Sequence, residues 1–360
     1  MNNDDLLSSI DNFFGKDSSN EKVDKDLKKV NGGVVDRGQN SNLKGETVHP
    51  KSLFEIRDAL ERLNKIKSSI GDDKDYTIRD DVNEITSFLF AGLIPDEFYM
   101  HQEIIESIVL FLGDYGFSDE FVIDNLKDMK CIVQPLEALQ RIKGYALGDH
   151  IVLDLDFFDY DKDGKIVGIN QNMQAMYQHV VTHEFFHKLS SFKNGYEEKA
   201  VMGDALLEGF TDYFTKLTIV DDKVESDLYG VPTRVCEMFA EIMGVDKTLD
   251  DYINHTREFP NLMNLFNECG LDQGSFLEFQ GKLDSVITSV SSDKASGIPK
   301  ELWGKDAKGE SISFLRENII IPYCRNNPDK AGRILDKFNT LFEGNGFTCT
   351  ISDVKGEKKV

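Results

Sequence analysis

The chain has 360 residues, with 64 acidic and 41 basic side chains and a formal net charge of −23. A surface of that sign repels phosphate backbones and anionic membranes, so the composition argues against nucleic-acid and membrane partners. The sequence contains no run near the ~18 apolar residues of a membrane-spanning helix, and its acidic N-terminus lacks a signal-peptide pattern. We therefore expect a cytoplasmic protein, while secretion without a signal peptide stays open.

The first 50 residues are polar and hold few apolar anchors, as in KDSSNEKVDKDLKKVNGG. This composition predicts a disordered or loosely attached tail. A pro-segment that covers a cleft and is removed by self-processing is a second interpretation of the same residues.

The five cysteines are scattered, odd in number and without a CxxC pair. This usage argues against a disulfide framework or a cysteine-based zinc site. We expect free, buried thiols at Cys131, Cys236, Cys269, Cys324 and Cys349.

Residues 51–128 show helical periodicity. Apolar residues recur at three- and four-residue spacing over 53–66. Further helices are predicted at 82–93, 97–112 and Asp119–Leu126.

Residues 129–170 carry short β-branched and apolar runs, which predict a small sheet. The runs are KCIVQ, YALGDHIVL at 145–153, HIVLDLDFF and KIVGIN. We expect 129–220 to form the catalytic core of the molecule.

The chain after residue 172 is again mostly helical, to about residue 337, with loops near 193–203, 221–230 and 291–308. Residues 221–360 are therefore predicted to form a helical C-terminal subdomain. The elements together predict an α+β fold, mostly helical with a small sheet.

The run DYDKDG at 159–164 matches the first half of an EF-hand calcium loop. The twelfth position is Asn170 instead of a bidentate glutamate, and a strand pattern precedes the run. An Asp-Gly pair between apolar runs also predicts a β-hairpin. A weak Ca²⁺ site at Asp159, Asp161 and Asp163 therefore stays an alternative to a simple hairpin.

The segment NQNMQAMYQHVVTHEFFHKLSS predicts one long helix that is apolar around most of its circumference, which is typical of a helix buried inside a domain. It carries His183, Glu184 and His187. Four residues are slightly more than one turn, so both imidazoles share a face and can reach one cation, with Glu184 beside them. This HExxH pattern is typical of zinc peptidases, but two core histidines satisfied by hydrogen bonds would also produce it.

A second helix is predicted at 204–219, DALLEGFTDYFTKLTI, with Asp204 as its N-cap. Glu208 and Asp212 fall on one of its faces, and Gly209 would allow another helix to approach closely. A catalytic zinc takes three protein ligands and keeps a position open, which two histidines and Glu208 would satisfy. Asp212 could accept from the second nitrogen of a ligand imidazole. Alternatively, Glu208 and Asp212 are ordinary acidic residues on an exposed helix face.

His183-Glu184-x-x-His187 followed by Glu208-x-x-x-Asp212 resembles the motif pair of the gluzincin, or thermolysin-like, zinc metallopeptidases. The segment EGFTDYF is also similar to a segment of related HExxH peptidases. The resemblance implies that His183, His187 and Glu208 bind Zn²⁺, that Glu184 is the general base and that Asp212 holds the first histidine.

The resemblance covers about residues 145–219 and implies a zincin-like fold, in which an edge strand precedes the HExxH helix. An extended substrate pairs with that strand by strand addition. The stretch 145–153 is the candidate for it.

These peptidases use a tyrosine or histidine to stabilise the developing oxyanion, and no motif identifies that residue here. Tyr229 and His255 lie downstream in a suitable order, and Arg234, Tyr213 and His150 are further options. An ordinary packing or surface role stays open for each.

The sequence thus predicts a zinc-dependent metallopeptidase that acts on a peptide or protein. Zn²⁺ would activate water, and Glu184 would take its proton and pass it to the leaving amine. A deformylase-like amidase is one alternative, but it needs a cysteine ligand, and Cys131 lacks the required motif. The other is a non-catalytic protein, zinc-stabilised or effector-like, with a vestigial protease site.

Overall fold

The computed structural model describes residues 92–93, 101–126, 129–134, 143–147, 150–162, 166–191, 204–219, 224, 229–255 and 258–356. The predictions for the tail at 1–50, for the helix at 53–66 and for most of the helix at 82–93 lie outside these residues. The chain forms two compact units, one made of residues 1–92 with 162–165 and the other of 93–161 with 166–360. The described helices belong to the second unit.

The first described helices are α1 (His101–Gly113) and α2 (Asp119–Leu126). Helix α2 has the predicted bounds. Helix α1 buries one apolar stripe at three- and four-residue spacing, as an amphipathic helix should. The stripe consists of Ile104, Ile108 and Leu112.

A four-stranded sheet has the strand order β1-β2-β4-β3. Its strands are β1 (Gly92–Leu93), β2 (Lys130–Gln134), β3 (Gly144–Leu147) and β4 (His150–Asp154). Strands β2 and β4 are parallel, whereas β3 runs antiparallel to β4. Strand β1 corrects the prediction of a helix at 82–93, because pairing in a sheet outweighs local helical periodicity at its last two residues.

The stretch 145–153 is not a single edge strand, because the structure divides it between β3 and β4. Strand β4 lies inside the sheet, and its Ile151, Val152 and Leu153 are buried. Gly148-Asp149 stands between the two strands in the sequence, and a glycine-led dipeptide is a common hairpin connection. The edge of the described sheet next to β4 is therefore Gly144–Leu147.

A two-stranded hairpin follows, formed by β5 (Phe158–Tyr160) and β6 (Ile166–Ile169). The strands are antiparallel, with Phe158 opposite Ile169. A short 3₁₀ turn precedes β5, and Asp154 caps it by accepting the N–H of Asp156 at 3.0 Å. The hairpin interpretation of the Asp-Gly signal is confirmed by this pairing.

Helix α3 (Gln174–Ser191) carries the HExxH motif and follows a 3₁₀ turn at Gln171–Met173. It packs against β3 and the helices α1 and α2 on the N-terminal side. Its fully buried apolar side chains are Tyr177, Val181, Phe185, Phe186 and Leu189. An added Cβ on Gly144 of β3 would lie 2.5 Å from a methyl of Val180, so the edge strand lies directly against the helix.

Helix α4 (Asp204–Thr218) packs against α3 and against α5 (Gly230–Met243). Gly209 makes the second contact possible, because a Cβ there would lie 2.8 Å from the carbonyl of Pro232. This agrees with the close helix approach that the sequence indicated.

The rest of the described chain is helical. It comprises α6 (Val245–Asn254), α7 (Pro260–Glu268), α8 (Gln273–Ser296), α9 (Lys305–Phe314), a π-helical segment (Leu315–Ile320), α10 (Ile321–Asn326), α11 (Ala331–Phe342) and α12 (Ile351–Lys355). The loop predicted at 291–308 is shorter than expected. Helix α8 continues until Gly297, whose φ of 77° ends it in the left-handed region.

Helices from both sides of residue 220 belong to the second unit and pack against one another. Helix α8 packs against α4. The N–H of Ala205 donates to Asp284 of α8 at 2.9 Å, which satisfies an otherwise unpaired amide of the first turn of α4. Helices beyond residue 220 therefore share the core that supports the motif helices.

The described part of the molecule is mostly helical with two small sheets, which is an α+β fold. All five cysteines are free, and four of them are buried. Among the described residues, no helix combines the length and the apolar character needed to cross a membrane.

Candidate metal centre

Three side chains from α3 and α4 converge on one point. The Nε2 atoms of His183 and His187 lie 3.1 Å apart, and Oε2 of Glu208 lies 3.0 Å from the first and 3.1 Å from the second. One turn of α3 supplies both imidazoles, and the packing of α4 against α3 supplies the acid. The structure therefore brings together the three residues that the sequence predicted as ligands.

The three groups are largely buried. The imidazoles of His183 and His187 are 8% and 9% exposed, and the Glu208 side chain is 21% exposed. Burial raises the pKa of Glu208, but the two imidazoles outweigh burial and hold that pKa well below its usual range. An ionised carboxylate beside two imidazole nitrogens is a donor set that divalent zinc accepts.

A hydroxyl pair lies behind His187. Its Nδ1 is 3.4 Å from Oγ1 of Thr211, which lies 2.7 Å from the hydroxyl of Tyr252 on α6. Both hydroxyl-bearing residues are fully buried. Three elements, α3, α4 and α6, thus meet behind this imidazole.

Asp212 lies one turn after Glu208 and is fully buried. Its Oδ1 is 3.1 Å from Nε2 of His179, and its Oδ2 accepts from Thr233 at 2.6 Å and pairs with Lys216 at 2.9 Å. A ring nitrogen of His183 lies within 4.8 Å of ligand atoms of Asp212 and His179.

The neighbours of Asp212 stabilise its charged form. Burial raises the pKa of Asp212, but His179, Lys216, His183 and Thr233 together lower it well below the usual range. The predicted role of this acid was to hold His183. The structure places it against His179 first, with His183 as a nearby second neighbour.

Tyr229 precedes α5 and covers the first imidazole. Its ring stacks on that of His183 with centroids 5.7 Å apart and planes 11° from parallel. Burial raises the pKa of Tyr229 far above its usual value, and the neighbouring acids Glu208 and Glu184 raise it further. The phenol also hydrogen-bonds to Glu208, so it stays protonated and is a donor at the edge of the cluster.

Glu184 follows the first ligand histidine on α3 and is only 6% exposed. Burial is the largest cause that raises the pKa of both Tyr229 and Tyr252, and the charge of Glu184 raises both further. Glu184 is not one of the three converging groups.

No protein-family model matches this chain, and no curated protein or solved structure matches it. The geometry of the cluster is therefore what supports a function.

Other predicted donors lie elsewhere. His255 is 45% exposed and its Nε2 is 3.7 Å from Asp250, with no contact to the three ligand side chains seen among the described residues. Arg234 donates to Asn345 at 2.9 Å. Burial raises the pKa of Tyr213, and the charge of Glu237 raises it further. The side chain of His150 lies outside the described residues.

The calcium prediction and the deformylase alternative concern residues away from this cluster. Asp159 lies in β5 and Asp161 follows it, whereas Asp163 lies outside the described residues. Cys131 lies in β2, where it is buried. Over the described part of the chain, neither the two acids nor Cys131 belongs to a group of three potential metal ligands.

Four side chains around the cluster were not predicted from the sequence: His179, Thr211, Thr233 and Tyr252. A signal existed for His179, because it precedes His183 by the same four residues that separate His183 from His187. Thr211 falls on the same helical stripe as Glu208 and Asp212, but the contacts of the three hydroxyl-bearing residues depend on how α4, α5 and α6 meet.

Proposed function

We propose that this chain is a zinc-dependent metallopeptidase with a zincin-like fold, in which His183, His187 and Glu208 hold the metal ion and Glu184 is the general base. The observation that carries the proposal is the convergence of two imidazole nitrogens and one carboxylate oxygen within 3.0–3.1 Å of one another. Two histidines and one glutamate are a ligand set of catalytic zinc sites.

The donor set fits a cation better than it fits a metal-free core. The Glu208 carboxylate is ionised and faces two nitrogens that also face each other. Burying these polar groups together is costly without a shared partner, and a divalent ion is such a partner.

The residues around the cluster have separate tasks in the proposed reaction. When bound, Zn²⁺ would polarise a peptide carbonyl and make water more acidic. Glu184 takes a proton from the attacking water and delivers it to the leaving amine. Tyr229, held protonated at the edge of the cluster, would turn its one proton from Glu208 to the developing oxyanion and stabilise it by a hydrogen bond.

The sheet supports the binding of an extended peptide. Strand β3 is last in the strand order, is antiparallel to β4 and packs against the HExxH helix. A peptide added to its outer edge would form main-chain hydrogen bonds alongside α3, as strand addition requires. The acidic chain would favour basic substrates over acidic ones.

Elemental analysis and one substitution test the proposal. We expect about one zinc per chain. Glu184→Gln should retain the metal and lose peptidase activity by about 10²–10⁴-fold, because it removes the base but no ligand. The measurements are metal content and cleavage of a broad peptide library. Turnover of Glu184→Gln at the wild-type rate would refute the base assignment.

A non-catalytic zinc-stabilised protein is the second candidate, and one observation favours it. The two imidazoles are nearly enclosed, at 8% and 9% exposed, and closed sites are typical of structural zinc. Metal-loaded protein that cleaves no member of the library, but unfolds when the metal is chelated, would support this candidate.

A further inference from the structure

The hydroxyl of Thr211 has one proton and three polar neighbours. The carbonyl oxygen of Leu207, one turn back in α4, lies 2.7 Å from Oγ1 of Thr211. The Tyr252 hydroxyl lies 2.7 Å from the same atom, and Nδ1 of His187 lies 3.4 Å from it. A carbonyl oxygen can only accept, so the short contact to Leu207 uses the single Thr211 proton. The Thr211 oxygen must then accept from the other two groups.

This assignment of the Thr211 proton also affects the choice of tautomer at His187. The Tyr252 phenol donates one of the two hydrogen bonds that Thr211 can accept. The second acceptor position of Thr211 faces Nδ1 of His187 at 3.4 Å, and this contact favours the ring proton on Nδ1. A neutral imidazole has one N–H, which leaves a lone pair on Nε2, the atom that lies 3.1 Å from Glu208.

We propose that Thr211 and Tyr252 form a positioning pair that holds His187 as the Nδ1–H tautomer and so prepares Nε2 as a metal ligand. The proposal rests on the proposed metal centre and deepens it. Both residues act through His187 and neither touches the ion or the substrate.

The pair has the features of a built support. Thr211 and Tyr252 are fully buried and come from different helices, so the support exists only when α4 and α6 are docked on α3. The phenol remains a donor, because burial raises the pKa of Tyr252 well above its usual value. The phenol oxygen lies 2.7 Å from Thr211, whereas Ser190 donates to the carbonyl of His187 at 2.9 Å.

The first test uses the metal-free wild-type chain. Proton–nitrogen correlation spectra at mildly alkaline pH distinguish the two tautomers of a neutral imidazole, and His187→Gln identifies the signal. We expect the Nδ1–H form. A predominant Nε2–H form would overturn the proposal, and this result does not depend on whether the chain binds zinc.

The second test measures zinc affinity by competition with a chelator. Thr211→Val removes the hydroxyl at nearly constant shape and should weaken zinc binding by about 10–100-fold, as loss of such supports does elsewhere. Thr211→Ser should restore affinity close to wild type, and Tyr252→Phe should weaken it. Thr218→Val is the matched control, because Thr218 makes the same bond one turn back, to Phe214 at 2.8 Å.

The outcomes separate the two hypotheses. If the wild type binds no zinc, the metal centre fails while the tautomer result still decides the positioning pair. If the wild type binds zinc and Thr211→Val binds it equally well, the positioning pair fails and the metal centre stands. Should Thr211→Val not fold, equal affinities of the wild type and Tyr252→Phe would also refute the pair.

Discussion

Glu184 and Glu208 are glutamates of one small region, but their surroundings differ. Glu208 contacts both imidazoles, and these contacts hold its pKa well below the usual range. Glu184 is more deeply buried, at 6% exposed, and its charge raises the pKa of Tyr229 and of Tyr252. In the proposed function Glu208 is a metal ligand, whereas Glu184 takes and releases a proton.

Removing the acid from α4 should remove the metal. Glu208→Ala leaves two imidazoles without their charged partner, so we expect zinc affinity to fall by at least about 100-fold. Isothermal titration with zinc would measure the change. Glu237→Ala is a suitable control, since Glu237 pairs with Lys337 on α11. Zinc binding at wild-type affinity by Glu208→Ala would show that the third ligand is another group.

Tyr229 provides the sharpest test of the oxyanion donor. Tyr229→Phe keeps the ring that stacks on His183 and removes only the phenol proton donor. We expect kcat to fall by about 10²–10³-fold while metal content is unchanged. Tyr213→Phe is the control, because burial raises the pKa of that phenol too, but its acidic neighbours are Glu237 and Glu241. Equal loss in both variants would contradict a specific role.

At the scale of elements, α5 approaches α4 closely at the residue that follows Glu208. Gly209 follows Glu208, and a side chain there would meet both the Pro232 carbonyl at 2.8 Å and the Cys236 sulfur at 2.9 Å. These atoms belong to the backbone and core of α5. They cannot move aside without shifting the helix.

Gly209→Ala should therefore destabilise the fold by about 1–3 kcal/mol, through overpacking at the helix contact. Chemical denaturation would measure the change. Gly281→Ala in α8 is the matched control, because no atom lies within 4 Å of an added Cβ and alanine favours a helix by about 0.5–1 kcal/mol. Similar effects of the two substitutions would argue against the close contact.

Periodicity in the sequence was enough to predict the elements that carry the site. The shared face of His183 and His187 depends on helical geometry alone, and the described helices α3 and α4 start and end close to the predicted bounds. The pairing of the strands was harder to predict, because 145–153 is mostly one apolar run in the sequence although it contributes to two paired strands.

The supports behind the imidazoles could not be predicted. Whether Asp212 faces His179 or His183 depends on the rotation of α4 about its axis, and Thr211 reaches His187 only through tertiary packing. Such contacts join residues more than 20 positions apart. The local sequence pattern contains no information on these contacts.

At the scale of the whole molecule, Asp212 links three helices through its contacts with His179, Lys216 and Thr233. Its folded-state pKa is lowered, so the unfolded chain binds this proton more readily than the folded chain does. The stabilisation is fully present above the ordinary aspartate pKa, ~3.9, and is lost as the pH falls toward the lower folded value.

We therefore expect Asp212→Asn to cost about 2 kcal/mol at neutral pH and to make the unfolding free energy less dependent on pH in the acid range. Denaturation of chelator-treated protein between pH 7 and pH 3 would measure both effects. Asp284→Asn is the control with the opposite sign, because burial raises the pKa of Asp284. Removing that group should make the acid dependence steeper.

The burial of α3 has a consequence for ion choice. Phe185 and Phe186 are fully buried beside the ligand histidines, and five elements, β3, α1, α2, α4 and α6, pack around the helix. Close-packed interiors resist expansion, so the donor atoms have little room to spread for an ion of larger radius. The hydrophobic packing of this helix would thus restrict the proposed metal centre to ions of small radius. Calcium would be excluded by its size, independently of its preference for oxygen ligands.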